Sequence, residues 1–286
     1  MDNLRGAILM VLAMAAFALE DMFFKAATSS IPVGEALVIF GLGGMFAFIG
    51  LTKYRGESVL HPAVLSRPIL IRSICEVTGR LFFALAIALT PLSSASAVLQ
   101  ATPLVVAVGA IVFFRETVGL HRWGSIIVGF IGVLLILRPG VSGFEPASLF
   151  AVIATLGFAG RDLATRAASP ALSNVQLGVY GFFMLTVAGF LLLMWSGQVI
   201  YPNPVTWMQL TATIGFGVIA YYALTGAMRT GEVSVVAPFR YTRLVFAMAL
   251  GILVFAERPD NLTLLGGAIV VLSGLYTVIR ERKQRR

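Results

Sequence analysis

The sequence repeats itself at a distance of 141 residues. The segment FALEDMFFKAA at residues 17–27 corresponds to FAGRDLATRAA at residues 158–168, and the same offset relates Glu116 to Glu257. Both copies are strongly apolar. A duplicated apolar unit is typical of secondary transporters, which are built from two similar halves with the substrate site between them. The repeat therefore predicts two related halves within one chain.

The composition indicates a membrane protein. Of 286 residues, 58% are hydrophobic and 12% are charged, whereas soluble domains carry about 25% charged residues. The net charge of +8 does not favour a nucleic-acid partner, because five of the 21 basic residues lie in the last seven positions. A basic tail after an apolar helix is expected to lie at an anionic cytoplasmic leaflet.

Ten apolar segments are long enough to cross the hydrocarbon core, which takes about 20 helical residues. Proline-containing turns such as Ile31-Pro32 and Arg138-Pro139-Gly140 separate them. The predicted spans are 5–25, 32–52, 67–89, 92–114, 121–138, 146–167, 173–196, 205–228, 232–256 and 262–280. This predicts an all-α membrane fold with one five-helix repeat at 5–138, a second at 146–280, and a basic tail at 281–286.

An odd number of spans per copy predicts that the second copy is inverted in the membrane, around a central cavity. With the N-terminus in the cytoplasm, the inner side collects thirteen basic residues and the outer side three: Lys25, Arg138 and Arg258. This excess predicts that both termini are cytoplasmic and that the chain is a multi-pass inner-membrane protein. The first apolar segment resembles a signal peptide, but its matching copy at 146–168 predicts that it is retained.

Ten charged residues fall inside the predicted spans. Each costs about 2.5–3.5 kcal/mol at the bilayer centre, so each needs a partner or a watery cavity. The basic members are Arg72, Arg80, Arg161, Arg240 and Arg243, and the acidic members are Glu20, Asp21, Glu35, Glu76 and Asp162.

These charges have two possible interpretations, one structural and one functional. Glu76 and Arg80 share one face of span 3, and Arg240 and Arg243 lie at a similar depth in span 9. An ion-pair network in which Glu76 holds Arg80 or Arg243 is the structural reading. A cavity whose arginines receive a substrate carboxylate is the functional reading. The candidate substrate-binding residues are Glu76, Arg80, Gln100, Tyr221, Phe239, Arg240 and Arg243.

Other polar positions carry secondary expectations. Asp21 and Asp162 occupy equivalent positions and are each followed four residues later by a base, Lys25 or Arg166, which favours i, i+4 pairs of structural role. Glu20, Asp21 and Glu76 are the candidates for proton coupling. Pro103 and Pro238 are candidate hinges, because each removes a helix hydrogen bond.

The sequence gives no indication of an enzyme, a metal site or a cofactor. Cys75 is the only cysteine, and His61 and His121 fall in separate predicted loops. Ser, His and Asp do not cluster, and no nucleotide-binding motif appears. A passive channel remains an alternative, although channels normally build a pore from symmetric oligomers. The expected partners are a small-molecule substrate and the lipid bilayer, with the chain acting as a monomer.

The chain resembles the EamA-type family of the drug/metabolite transporter superfamily. The resemblance rests on the five-plus-five architecture and on the segments PLSSASAVLQATPLVVAVGAIVFFRE at 91–116 and VSVVAPFRYTRLVFAMALGILVFAERPD at 233–260. Glu116 and Glu257 match the acidic residue that ends the fourth helix of each family repeat, and both are expected to be structural. The resemblance implies ten helices around a cavity that opens alternately to each side.

Two substrate classes follow as hypotheses. Family members carry amino acids, metabolites, vitamins, nucleotide sugars or drugs, and exporters of aromatic and other amino acids are a plausible branch. Glu76 beside Arg80 or Arg243 offers both charges that a zwitterion needs, which favours amino acid export. The alternative is a planar solute such as a vitamin, nucleotide or drug, for which Tyr221, Tyr222, Phe239 and Tyr241 matter more than the charges.

Overall fold

The computed structural model describes residues 2–114, 120–137, 145–167, 172–229 and 237–284. Within these ranges the chain is helical and contains no β-strand. Short 3₁₀ turns lie at Pro62–Leu65 and Ala237–Tyr241. The described α-helices are α1 Asp2–Ala27, α2 Val33–Tyr54, α3 Arg67–Leu89, α4 Leu92–Leu99, α5 Thr102–Phe114, α6 Leu120–Leu137, α7 Ser148–Ala167, α8 Asn174–Ser196, α9 Pro204–Arg229, α10 Thr242–Phe255 and α11 Asn261–Gln284.

Five of the described helices are long and apolar enough to cross a bilayer: Leu4–Ala27, Val33–Tyr54, Ser148–Thr165, Asn174–Ser196 and Pro204–Ala227. Helix α3 has the bounds predicted for span 3 and 23 residues, but its charges at Arg72, Glu76 and Arg80 make it much more polar. Shorter apolar stretches occur at Leu92–Val106, Ile127–Ile136 and Asn261–Ser273. The chain is therefore a multi-span helical membrane protein.

Local sequence signals set several helix ends. Ser173 and Gln176 form a capping box at the start of α8, and the helix ends at Gly197, whose φ of 62° lies in the left-handed region that glycine adopts at little cost. Pro32 precedes α2, and Pro204 is the first residue of α9. These ends agree with the turns expected from the sequence.

The predicted fourth span, 92–114, is divided into two helices. Helix α4 ends at Leu99 and α5 begins at Thr102, with Pro103 at its second position. Since proline has no N–H and its ring displaces the carbonyl four residues before it, the Leu99 carbonyl loses its helical donor. The Thr102 hydroxyl donates to that carbonyl instead, at 2.6 Å. The chain therefore breaks at Gln100, just before the proline, rather than bending within one helix.

Helices α2 and α8 lie side by side in opposite directions. Gly34, Gly41 and Gly44 of α2 face Leu193, Thr186 and Phe182 of α8, respectively. A Cβ built at Gly41 would collide with the backbone of Thr186, so a side chain there would force the helices apart. Close contact through small residues is the usual way in which helices associate in membranes, where burial in lipid gives no net driving force.

The remaining long helices pack in pairs. Helix α1 lies along α9, α3 along α7, and α6 along α11. In the α3–α7 pair, Gly79 and Gly157 allow the two backbones to touch. Two polar contacts join the ends of α2 and α8 to loops: the Glu35 carboxylate accepts from the Ile200 N–H at 2.9 Å, and the Gln176 side chain donates to the Ser58 carbonyl at 2.7 Å.

We expect the Gly41→Val substitution to lower the thermal unfolding midpoint of the detergent-purified protein. Valine at this position collides with α8, and overpacking of this kind costs about 1–3 kcal/mol. Gly50→Val is the matched control, because Gly50 lies in the same helix with nothing within 4 Å of its built Cβ. Equal midpoints for the two variants would contradict the close packing of α2 on α8.

Candidate functional site

Nine of the ten charged residues inside the predicted spans lie close together between the helix pairs, and this group is called the network. Within the described residues it comprises five arginines and four carboxylates from α1, α3, α7 and the segment 240–243. Ion pairs connect seven of them without a break, and Asp21 and Arg243 form a separate pair beside these seven. The members of the network are Glu20, Asp21, Arg72, Glu76, Arg80, Arg161, Asp162, Arg240 and Arg243. With every group ionised, the network carries one positive charge in excess, and it is therefore suited to an anionic guest.

Glu76 is the centre of the network. It is fully buried, and its carboxylate lies 3.5 Å from Arg72, 3.3 Å from Arg80 and 3.4 Å from Arg161. Arg80 also contacts Glu20 at 3.3 Å. An uncompensated carboxylate at this depth would be strongly destabilising, and three guanidinium groups compensate it.

Arg72 is fixed from two further sides. Its Nη2 donates to the Tyr221 hydroxyl at 2.8 Å, and its Nε donates to Thr165 Oγ1 at 3.1 Å. The Tyr221 hydroxyl in turn donates to the Leu177 carbonyl at 3.0 Å. Tyr221 thus links the arginine network to α8.

Arg240 and Arg243 pair with one aspartate from each half of the sequence. Arg243 Nη2 lies 2.6 Å from Asp21 Oδ2, and Arg240 Nη1 lies 3.2 Å from Asp162 Oδ2. Asp162 also accepts from Arg161 at 2.9 Å. The segment 240–243 is therefore tied both to α1 and to α7.

A cavity of about 70 Å³ lies against this network. Four arginines line it, but of the four network carboxylates only Asp162 does, so the cavity wall is strongly cationic. The lining residues are Met14, Phe17, Arg80, Phe83, Leu99, Gln100, Thr102, Phe158, Arg161, Asp162, Tyr221, Leu224, Arg240 and Arg243. Since ligand sites usually measure about 300–1,000 Å³, a metabolite needs this cavity to widen before it can bind.

Aromatic rings form the other wall of the cavity. The Arg243 guanidinium carbon lies 4.9 Å from the centre of the Phe17 ring and 5.3 Å from that of Phe83. The Arg161 guanidinium lies 4.9 Å from the Phe158 ring. These cation–π contacts hold the arginines in place without using their hydrogen-bond donors. The site offers anion-binding donors beside planar apolar surfaces.

The model of the EamA-like transporter family matches this chain twice, at residues 4–138 and 146–279. The chain belongs to this family. A riboflavin transporter of Vibrio cholerae is 34% identical over 200 residues, which cover 68% of this chain and 65% of that protein. The match thus spans slightly less than two thirds of the Vibrio protein.

The names of two further relatives state different substrates. An S-adenosylmethionine uptake transporter of Rickettsia felis is 26% identical over 80% of this chain and 77% of its own length. A pseudopaline exporter of Pseudomonas aeruginosa is 26% identical over 94% of each chain. A protein of known crystal structure shares the fold with a TM-score of 0.65 at 18% identity, over 100% of this chain and 99% of that one.

The structure brings together most of the residues that the sequence singled out. Gln100, Tyr221 and the three arginines at 80, 240 and 243 line the cavity. Glu76 does not line it, because the arginines enclose it. Phe239 is 37% exposed and lies outside the lining, as do Tyr222 and Tyr241. Pro103 is the second residue of α5 and Pro238 lies in a 3₁₀ turn, so both stand where a regular helix is interrupted.

One pairing expected from the sequence is confirmed and another is wrong. Of the two partners expected for Glu76, Arg80 is the one it pairs with, while Arg243 pairs with Asp21 because Glu76 is already surrounded by arginines of α3 and α7. Lys25 does not pair with Asp21; its Nζ donates to the carbonyls of Ile87 and Thr90 at 2.8 and 2.6 Å. The last carbonyls of a helix have no helical N–H partner, and Lys25 donates to two carbonyls at the end of α3. The side chain of Arg166 lies outside the described residues.

Glu257 caps the start of α4. Its carboxylate accepts from the Leu92 and Ser93 N–H groups at 2.6 and 3.1 Å and from the Ser93 hydroxyl at 2.7 Å. A carboxylate at a helix N-terminus satisfies donors that have no helical partner, as expected for a structural residue. Glu116, its equivalent in the first copy, lies outside the described residues.

Sequence reasoning missed the aromatic wall. Phe17, Phe83 and Phe158 are indistinguishable in sequence from the other phenylalanines of an apolar chain. Their one signal is proximity to in-span charges, as with Phe17 near Glu20 and Phe158 near Arg161. Arg161 itself was counted among the in-span charges, and its position in the cavity wall depends on the packing of α7 against α3.

We expect Glu76→Gln to destabilise the protein strongly. The substitution keeps the shape of the side chain but leaves three arginines without their shared anion, and breaking a buried pair costs about 3–5 kcal/mol. The thermal unfolding midpoint and the folded yield in detergent measure this loss. Glu145→Gln, at an exposed carboxylate, is the control and should leave both unchanged. A Glu76→Gln protein as stable as this control would show that Glu76 does not compensate the arginines.

Proposed function

We propose that the chain is a secondary transporter that exports small carboxylate-bearing metabolites, most of all amino acids, across the cytoplasmic membrane. Transport is the activity of its family. The cationic cavity is the observation that carries the choice of substrate class, because its four arginines outnumber the single carboxylate on the wall. Arg240, Arg243 and Gln100 are assigned to the substrate carboxylate, and Asp162 to its ammonium group.

We place the ammonium contact at Asp162 rather than at Glu76. Glu76 is fully buried among three arginines and does not line the cavity. The Asp162 side chain is 22% exposed and lines the cavity. A zwitterion thus has a carboxylate and several guanidinium groups within one small space.

The transport mechanism we propose is alternating access between two inverted five-helix halves, at 5–138 and 146–280. Reciprocal packing supports it. By the 141-residue offset, α1 corresponds to α7 and α3 to α9, so the α1–α9 and α7–α3 pairs are copies of each other. Helices α2 and α8 are also equivalent and run antiparallel, which is the relation expected for halves with opposite orientations. We further propose that the protein has ten spans, that both termini are cytoplasmic, and that the monomer is the functional unit.

The polar contacts at the helix ends follow the same symmetry. Glu35 corresponds to Gln176, and the loop residue Ser58 corresponds to Val199, beside Ile200. Each of these two side chains reaches from the start of its own helix to the loop after the other helix. A site between two interchangeable halves favours a carrier over a passive channel.

Among the proton-coupling candidates, we favour Glu20 and Asp21 over Glu76. In the described residues, Asp21 has an ion pair with Arg243 and Glu20 has one with Arg80, while Glu76 has three. Protonating Glu76 would leave three cations unbalanced, whereas protonating Asp21 releases one arginine. Pro103 and Pro238 are proposed as the hinges of the moving segments.

A planar solute such as riboflavin is the second candidate. The aromatic wall formed by Phe17, Phe83 and Phe158 supports it, as does the Vibrio cholerae relative. Competition separates the candidates: an excess of unlabelled riboflavin that abolishes amino acid transport in liposomes assigns the cavity to planar solutes, and an excess without effect assigns it to amino acids.

Transport by the purified protein in liposomes tests the leading proposal. We expect labelled L-phenylalanine to cross the membrane, and Arg243→Ala to reduce its initial rate at least tenfold, since a charge-assisted contact contributes about 1.5–3 kcal/mol. Arg67→Ala is the matched control, because Arg67 is an exposed arginine at the start of α3.

Two outcomes would reject parts of this proposal. Absence of transport for every amino acid in a full panel removes the substrate class. Wild-type transport by the Arg243→Ala protein removes the site, even when a substrate is found.

A further inference from the structure

The two arginines of one short segment hold equivalent aspartates of the two halves. Arg240 lies in the 3₁₀ turn Ala237–Tyr241, and Arg243 lies in the first turn of α10. Arg243 pairs with Asp21 and Arg240 pairs with Asp162. These aspartates are related by the 141-residue offset, so the segment is anchored to the same point of both copies.

The arginines themselves are not repeated. Leu99 and Thr102 occupy the positions equivalent to Arg240 and Arg243. When two inverted halves exchange conformations, each contact takes the geometry of its equivalent in the other half. The equivalent of the Asp21–Arg243 pair is Asp162 with Thr102. After the exchange, Asp21 and Arg243 would therefore be arranged as Asp162 and Thr102 are in this structure. In the described structure the Thr102 hydroxyl donates to the Leu99 carbonyl, and Asp162 binds arginines. On the inverted arrangement proposed above, the Asp21–Arg243 pair is formed in one state of the transport cycle and released in the other.

Arg243 is placed so that it can bind an anion other than the Asp21 carboxylate. It lines the cavity, and its Nε is buried without a hydrogen-bond partner among the described residues. Asp21 is 2% exposed and lies behind the cavity wall. The rings of Phe17 and Phe83 flank the guanidinium, so a planar aromatic acid finds both a cation and apolar faces there.

We propose that Asp21 is an internal competitor of the substrate, holding Arg243 in place of a substrate carboxylate and yielding it when a carboxylate enters the cavity. Exchanging one carboxylate for another keeps the charge and the hydrogen bonds of the guanidinium. The released Asp21 takes up a proton from water, because an unpaired buried carboxylate would otherwise be strongly destabilising. The strength of this internal pair then sets how tightly the cavity binds anions. This inference rests on the proposed transport function and assigns Asp21 a role in specificity.

Binding of benzoate and of its neutral analogue benzamide to the purified full chain in detergent tests this role. Asp21→Asn removes the competitor and keeps its shape, so we expect the benzoate dissociation constant to fall at least tenfold relative to wild type. Benzamide binding should not change, because it carries no charge. Glu35→Gln, at another buried carboxylate, is the control and should bind both probes as wild type does.

A second substitution tests whether the tighter benzoate binding depends on Arg243. In the Asp21→Asn background, Arg243→Gln should abolish the tighter benzoate binding. The inference is overturned if Asp21→Asn binds benzoate no more tightly than wild type, or if the gain survives without Arg243. Should Asp21→Asn fail to fold, Asp21→Ser serves instead, with the same expected gain lost on adding Arg243→Gln.

The binding test and the transport test fail separately. Tighter benzoate binding by Asp21→Asn, with no amino acid crossing the liposome membrane, keeps the competitor role and rejects amino acid transport. Amino acid transport without any change in benzoate binding keeps the proposed function and rejects the competitor role.

Discussion

The contact of Glu76 with three arginines is the constraint on which the rest of the structure depends. A membrane interior tolerates a charge only when another charge or water compensates it, and here the compensation runs unbroken from Glu20 through Arg80, Glu76 and Arg161 to Asp162 and Arg240. This network fixes how α1, α3 and α7 face one another. It also leaves a surplus of guanidinium groups on one side, which becomes the wall of the cavity.

The helices around the network pack with their backbones close together. Glycines allow α2 to touch α8 and α3 to touch α7 along their backbones, and the reciprocal pairing of equivalent helices places the network between the two sequence repeats. The cavity of about 70 Å³ is much smaller than a metabolite site. The segment 240–243 forms part of its wall and has one ion pair to α1 and one to α7.

The sequence predicted the helical membrane class and the bounds of α3, because spans and turns depend on local composition. It predicted that the charges need partners, but not which ones. Arg243 meets Asp21, more than 200 positions away, and such a choice depends on how helices rotate and pack. The same limit explains why Phe17 and Phe83 were missed and why Glu76, though central, lies behind the cavity wall. The break at Gln100 was foreshadowed by Pro103, whose effect on the preceding carbonyl is local.

The most direct test of the account is the accessibility of one cavity position from the two faces of the membrane. A Cys75→Ser chain with Thr102→Cys, a residue of the cavity wall, is reacted with a membrane-impermeant maleimide in sealed vesicles of each orientation. Alternating access predicts that the thiol reacts from either face. Reaction from one face only, with substrate present, would contradict a cavity that opens to both sides.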